Sequence, residues 1–253
     1  MIIGILQARC SSSRLPGKVL MPILGVPMIW HQWQRLKQAK GLDKLVLATS
    51  VDVSDDFLAQ YFIDRGELVF RGSLDNVLDR YYQCALKYGA TQVVRLTGDC
   101  PLADPLLIDQ LIEKHLAEGN DYTGVAETFP DGLDAEIFTF KALEKAHNNA
   151  ITASHREHVT LYINQQPDVF KLASLASSHD LAYYRWTVDN SADFELVTKI
   201  YEKLYPINPR FGMHDILQLL TVYPEWMRIN EHIVRNEGLA KSLAQDNLKM
   251  DIL

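Results

Sequence analysis

The stretch Ile2-Ile3-Gly4-Ile5-Leu6-Gln7-Ala8-Arg9-Cys10-Ser11-Ser12-Ser13-Arg14-Leu15-Pro16-Gly17-Lys18 decides the architecture of this chain. Its opening residues are apolar and rich in isoleucine, as in a strand buried on both faces, and they break at once into a polar loop holding a Pro-Gly turn. Outward from there, Met28, Ile29, Trp30, Trp33 and Leu36 recur at helical spacing within residues 27–38, and residues 44–49 read as a second strand. The same alternation predicts a helix over 54–65, a strand over 67–70, a helix over 75–88 and a strand over 92–96. Such βαβ units give an α/β fold with a mainly parallel sheet between two helical layers. Parallel sheets bind ligands beyond the carboxyl ends of their strands, where the Gln7 loop, Thr49-Ser50 and Thr97-Gly98-Asp99 all fall.

Beyond Asp104-Pro105 a helix is predicted over 106–118, then short strands over 135–140 and 170–176 in a stretch of mixed character. Residues 185–189 read as a strand returning to the core, 192–204 as a helix and the tail after Pro206 as helical. No repeat or low-complexity linker interrupts the 253 residues, so one domain is expected, in three parts: 1–120, a smaller lobe over 121–185, and 186–253.

Lys and Arg number 25 against 32 Asp and Glu, a net charge of −7 with no dense basic stripe, which argues against a nucleic-acid partner. Cys10, Cys84 and Cys100 form no C-x-x-C pair, so neither a disulfide framework nor a zinc site is expected, and the chain reads as cytoplasmic. No stretch has the roughly 18 consecutive apolar residues of a membrane span, and the first residues lack the pattern of a signal peptide.

Chemistry concentrates in a few places. The loop after the first strand offers Arg9, Arg14 and Lys18 with three serines, including Ser13, while Gly17 frees the backbone for close approach. A planar guanidinium fork and an ammonium point charge suit a triphosphate, with Gln7, Ala8, Thr97 and Gly98 as neighbouring wall. It is not a Walker A loop, because Val19 stands where a magnesium-binding Ser or Thr would be. Asp99 and Asp189 each end an apolar run, and two such carboxylates can hold magnesium while phosphates and water complete its shell; each could equally cap a helix. Asp134 and Glu136 alternate on an extended segment and suit sugar hydroxyls. In His155-Arg156-Glu157-His158 no third ligand completes a zinc set, but Arg156, His158 and, further on, Arg185 could meet an anionic acceptor.

Taken together, Ala8 to Lys18 resembles the A-R-x-x-S-x-R-L-P-G-K signature of cytidylyltransferases that activate acidic sugars, including the acylneuraminate and 3-deoxy-manno-octulosonate enzymes. The likeness is strongest to the spore coat polysaccharide biosynthesis protein F group. Arg95-Leu96-Thr97-Gly98-Asp99-Cys100-Pro101-Leu102, Pro130-Asp131-Gly132-Leu133-Asp134, Arg156-Glu157-His158-Val159-Thr160 and Arg185-Trp186-Thr187-Val188-Asp189 follow in the same order. The resemblance implies a nucleotide-diphospho-sugar transferase fold, a three-layer sandwich around a mixed sheet. It further implies CTP on the first loop gripped by Arg14 and Lys18, Mg2+ on Asp99 and Asp189, and a sugar-acid acceptor over residues 121–185. Cys100 departs from the acidic-sugar enzymes and leaves the acceptor open. A glycosyltransferase on the same fold, or an inactive sugar-nucleotide-binding protein, is the alternative. A homodimer is also expected, from dimeric relatives and from Ile207, Phe211, Met213, Ile216, Leu217 and Leu220 near the tail.

Overall fold

Ile3 and Ile5 on one side of the first strand and Leu6 on the other are wholly shielded from solvent, so this strand lies inside the sheet with a neighbour along each edge. The computed structural model describes residues 1–235 together with residues 239, 242–244 and 246. Its strands are β1 (Ile2–Gln7), the hairpin pair β2 (Pro22–Ile23) and β3 (Val26–Pro27), β4 (Lys44–Ser50), β5 (Leu68–Gly72), β6 (Gln92–Thr97), β7 (Tyr122–Val125), β8 (Glu136–Thr139) and β9 (Leu172–Leu175). The helices are α1 (Met28–Leu36), α2 (Asp56–Ile63), α3 (Val77–Tyr88), α4 (Pro105–Glu118), α5 (Phe140–Asn149), α6 (Ala153–Glu157), α7 (Leu161–Asn164), α8 (Ser191–Leu204) and α9 (Met213–Val222).

The seven-stranded sheet runs β5-β4-β1-β6-β8-β7-β9. Pairing is parallel from β5 through β6, antiparallel at β6–β8 and β8–β7, and parallel again at β7–β9. The α/β fold expected from the sequence is therefore present, as a mixed and mainly parallel sheet. From β1 the chain builds outward to β4 and β5, then crosses back to lay β6 on the other side of β1. The crevice outside the carboxyl ends of β1 and β6 is thus a topological switch point, where sheets of this kind bind ligands.

Three apolar clusters hold the layers. One joins Ile3, Ile5 and Val93 to α3 and α5, and a second joins Leu6, Leu47 and Leu96 to Trp33, Phe62 and Leu111. The third gathers Trp186 and Val188 with Leu196, Ile200, Phe211, Ile216 and Leu220. Phe211, Ile216 and Leu220, read from the sequence as surface for a second subunit, are thus interior to the chain, whereas Ile207 is 84% exposed.

Two local expectations need correction. Residues 185–189 form no strand of the sheet beyond one bridge between Arg185 and Asp131. Their backbone donors go elsewhere: Trp186 and Thr187 both donate to the Asp131 carbonyl, and Val188 donates to that of Asp99 at 2.7 Å. Conversely β7, not expected from the sequence, pairs with β8 and β9 and brings residues 121–176 into the same sheet. No described helix is long and apolar enough to cross a membrane, and all three cysteines are free thiols.

Candidate active site

The loop after β1 is folded back on itself and pinned at both ends. Gly17 donates to the Cys10 carbonyl at 2.9 Å, Cys10 donates to Asp55 at 2.7 Å, and Gly98 donates to the Gln7 carbonyl at 2.8 Å, tying the β1 and β6 loops together. Lys18 opens a 3-10 turn and points inward, its residue only 7% exposed. Its ammonium donates to the Val188 carbonyl at 2.7 Å and to Asp189 at 2.9 Å, and lies 3.6 Å from Asp99. Arg14 adds a second cation to Asp189 at 2.7 Å.

Asp99 and Asp189 therefore face one point, although they lie on separate loops. They are not helix caps: Asp104 caps α4, and Asn190 with Asp193 forms the capping box of α8. Burial opposes ionisation of Asp99, yet Lys18, the Thr97 hydroxyl and the Cys100 thiol hold its carboxyl below the usual range.

Behind Asp189 stands a buried ionic network. Arg185 donates from Nε and Nη2 to Asp193 at 2.9 and 3.0 Å, from Nη1 to Asp131 at 2.6 Å, and from Nη2 to Asp189 at 3.3 Å. Asp193 is fully buried and also accepts from Asn230 and from the Asp189 amide. Desolvation disfavours the Arg185 cation, but these carboxylates more than offset it. Asp131 is the weak member: burial and the neighbouring Asp134 push its carboxyl up to about 6 against the pull of Arg185 and Arg235.

Two adjoining cavities of about 480 and 440 Å³ meet at this cluster and share Arg14, Arg95, Thr97, Asp99, His158 and Asp189 as lining. The first is walled by Gln7, Ala8, Arg9, Ser13, Lys18 and Gly98, so the predicted nucleotide residues other than Gly17 surround one space. The second is walled by Asp131, Asp134, Glu136, Thr160, Arg185 and Arg235. Asp134 accepts from Gly132 and Arg235. Glu136 accepts from Arg95 and from the Tyr122 and Thr160 hydroxyls at 2.7 Å each. Burial opposes its ionisation, but Arg95 and those hydroxyls hold its carboxyl below the usual value. His158 is hydrogen-bonded to Ser242, and burial lowers its basicity.

Of the residues expected to meet an anionic acceptor, Arg185 lines the second cavity with its donors directed to carboxylates, and Arg156 donates to the Ala150 carbonyl at 2.8 Å and lines neither cavity. What sequence reading passed over is Arg95, half-buried within β6, lining both cavities, with its Nε lacking a partner among the described residues. A charged residue inside an otherwise apolar strand was the available signal.

A family model described as Cytidylyltransferase matches residues 3–232. The chain is 34% identical over 231 residues to the Spore coat polysaccharide biosynthesis protein SpsF of Bacillus subtilis, covering 88% of this chain and 95% of that one. It is 37% identical over 113 residues to the 3-deoxy-manno-octulosonate cytidylyltransferase of Geobacter sulfurreducens, covering 44% of each. Among solved structures, a cytidylyltransferase from Leptospira borgpetersenii superposes with a TM-score of 0.85 at 30% identity, covering 89% of this chain and 96% of that one.

Proposed function

Since this chain belongs to the cytidylyltransferase family, we propose that it transfers the CMP part of CTP to a sugar or sugar-like acid, releasing pyrophosphate, in the making of a surface polysaccharide or glycoconjugate. One observation carries this reading: a buried ammonium, Lys18, meets two loop carboxylates at the switch point, between one cavity rich in loop cations and another lined by hydroxyl and carboxylate groups. The likeness to a 3-deoxy-manno-octulosonate cytidylyltransferase supports a sugar acid as the acceptor class.

In this reaction an acceptor hydroxyl oxygen attacks the α-phosphorus, the bond from that phosphorus to the bridging oxygen of the β-phosphate breaks, and the hydroxyl proton is released. Arg14 and Lys18 neutralise charge gathering on the departing pyrophosphate. Arg185 and Asp193 position Asp189, and the Val188 and Thr187 contacts to the Asp99 carbonyl hold the two carboxylates in register. Glu136 orients Arg95, which faces both cavities and is the cation best placed for an acceptor carboxylate.

The donor set suits magnesium. Among the described residues no three His, Cys, Asp or Glu side chains converge, so the chain supplies at most the two hard carboxylates Asp99 and Asp189. Their shared attraction for Lys18 marks a position selected for positive charge. Bound there, Mg2+ would supply Lewis-acid polarisation of the α-phosphate.

Incubation with magnesium, each nucleoside triphosphate and a panel of acidic sugars, followed by pyrophosphate measurement, tests the proposal. Release is expected only with CTP and an acidic sugar together; none with any pair would overturn it.

A further inference from the structure

The family model ceases to match at residue 232, yet the chain beyond it returns to the site. Val234, Arg235 and Leu239 line the second cavity, and Ser242 lines the first and is hydrogen-bonded to His158 at 3.0 Å. Arg235 is held on several sides. Its Nη1 donates to the Glu127 and Phe129 carbonyls at 3.3 Å each, Nη2 donates to Asp134 at 2.9 Å, and Nε stands 3.8 Å from Asp131. Its side chain keeps 21% exposure, so an anchored guanidinium forms part of the wall where an acceptor would lie.

That wall is otherwise hostile to an acid. Asp131, Asp134 and Glu136 come from one short stretch, and all three line the second cavity. Glu136 is matched by Arg95, and Asp131 by Arg185, which also serves Asp189 and Asp193. Asp134 is the most open of the three, its side chain 45% exposed, and its ion-pair partner among the described residues is Arg235. Burial and the charge of Asp134 raise the Asp131 carboxyl, and Arg235 joins Arg185 in pulling it back. Without this cation an acidic acceptor would meet an uncancelled carboxylate, a like-charge contact that costs affinity where a neutral sugar would lose none.

We infer that Arg235 is the residue that admits an acid to this cavity: by cancelling Asp134 and screening Asp131, it lets a carboxylate approach Arg95 without net repulsion from the wall. It acts through Asp134 and is a positioning residue, not a catalytic one. The inference rests on the acidic-acceptor reading above and adds the selection of the acid over a neutral sugar, placed on a residue outside the stretch that the family model matches.

Pyrophosphate release by the full chain, with CTP and the acid that performs best in the panel, is compared with release from that acid's carboxamide. The unaltered chain is expected to favour the acid, and Arg235→Gln to lower the acid-to-carboxamide ratio of kcat/KM roughly 10-fold, a value between those of exposed and buried charge pairs. The change should lie in the KM for the acid, with kcat and the KM for CTP within about twofold of the original. Arg235→Lys should keep most of the ratio, and Asp134→Asn in the Arg235→Gln chain should restore it to within about threefold, which lost packing would not allow. Asp134→Asn alone should raise the ratio, so the test stands even if Arg235→Gln does not fold. A ratio near one in the unaltered chain, one that Arg235→Gln leaves in place, or one that Asp134→Asn does not raise would each overturn the inference while leaving the cytidylyl reading intact. An unaltered chain that releases no pyrophosphate with CTP and any acid of the panel would remove both.

Discussion

Lys18, Asp99 and Asp189 act as a set, so removing one member changes the others. Lys18→Met leaves two carboxylates facing each other without their shared cation, and breaking a buried pair in this way costs about 3–5 kcal/mol where burial is complete and less at this partly open site. Asp99→Asn and Asp189→Asn are each expected to lower pyrophosphate release on the order of 100-fold while leaving the melting temperature nearly unchanged for Asp99, the more exposed of the two. Activity within a few-fold of wild type in either variant would show that the carboxylates only brace Lys18. Asp131 sets the pH behaviour. With a carboxyl raised to about 6, it loses its charge as pH falls through that value, and Arg185 then loses one of its three carboxylate partners. The acid limb of kcat/KM is therefore expected near pH 6 and, because Asp134 is the second cause of the shift, should move to lower pH in Asp134→Asn. The sign for stability is the reverse: a carboxyl raised in the folded state stabilises fully below its unfolded value near 4 and ceases to do so as pH rises through 6. A limb that stays in place in Asp134→Asn would assign it to another group.

At the level of elements, the site depends on residues 185–189 lying against the loop at Asp131. Gly132 makes that contact possible. Its φ is +103°, and a Cβ there would stand 2.3 Å from the Thr187 nitrogen, a backbone atom that cannot swing away. Gly132→Ala is expected to cost at least roughly 2 kcal/mol and to lower activity more than stability, since the displaced segment carries both Arg185 and Asp189. Thermal melting and pyrophosphate release on the same preparation would separate the two effects, and a normal melting point with normal turnover would refute the packing argument. How much of this was readable in advance depended on the range of each interaction. Buried parallel strands announce themselves through apolar runs such as Ile2–Leu6, and Lys18 and Asp99 stand out because they follow such runs immediately. β7 gave no signal, being four residues long with Gly124 inside it, too short for a period to develop. Residues 185–189 look like a strand because Trp186 and Val188 are buried, but burial came from the third apolar cluster and not from a neighbouring strand. The pairing of Arg185 with Asp131 joins positions 54 apart, and no local pattern encodes it.

For the molecule as a whole, acid stability is governed by buried histidines before the carboxylates. His115 is 1% exposed between Thr123 and Gln92, and burial lowers its imidazole to about 4. A histidine depressed in the folded state contributes stability that is present above its unfolded value near 6.5 and is lost progressively as pH falls toward 4. His31 and His158 are shifted in the same direction, again chiefly by burial. The melting temperature is expected to fall between pH 7 and pH 4.5, with a shallower slope in His115→Gln; an unchanged slope would place the acid sensitivity elsewhere. The bond between Lys18 and the Val188 carbonyl closes a loop of 170 residues. Because synthesis runs from the amino terminus, the first strand and the loop after it leave the ribosome long before their partner exists. During that interval the Lys18 ammonium has neither Asp189 nor the Val188 carbonyl, and the centre of the sheet must form around an unfinished pocket. Catalytic competence therefore marks the end of folding: a nascent chain halted before residue 185 can contain a parallel sheet and still be inert.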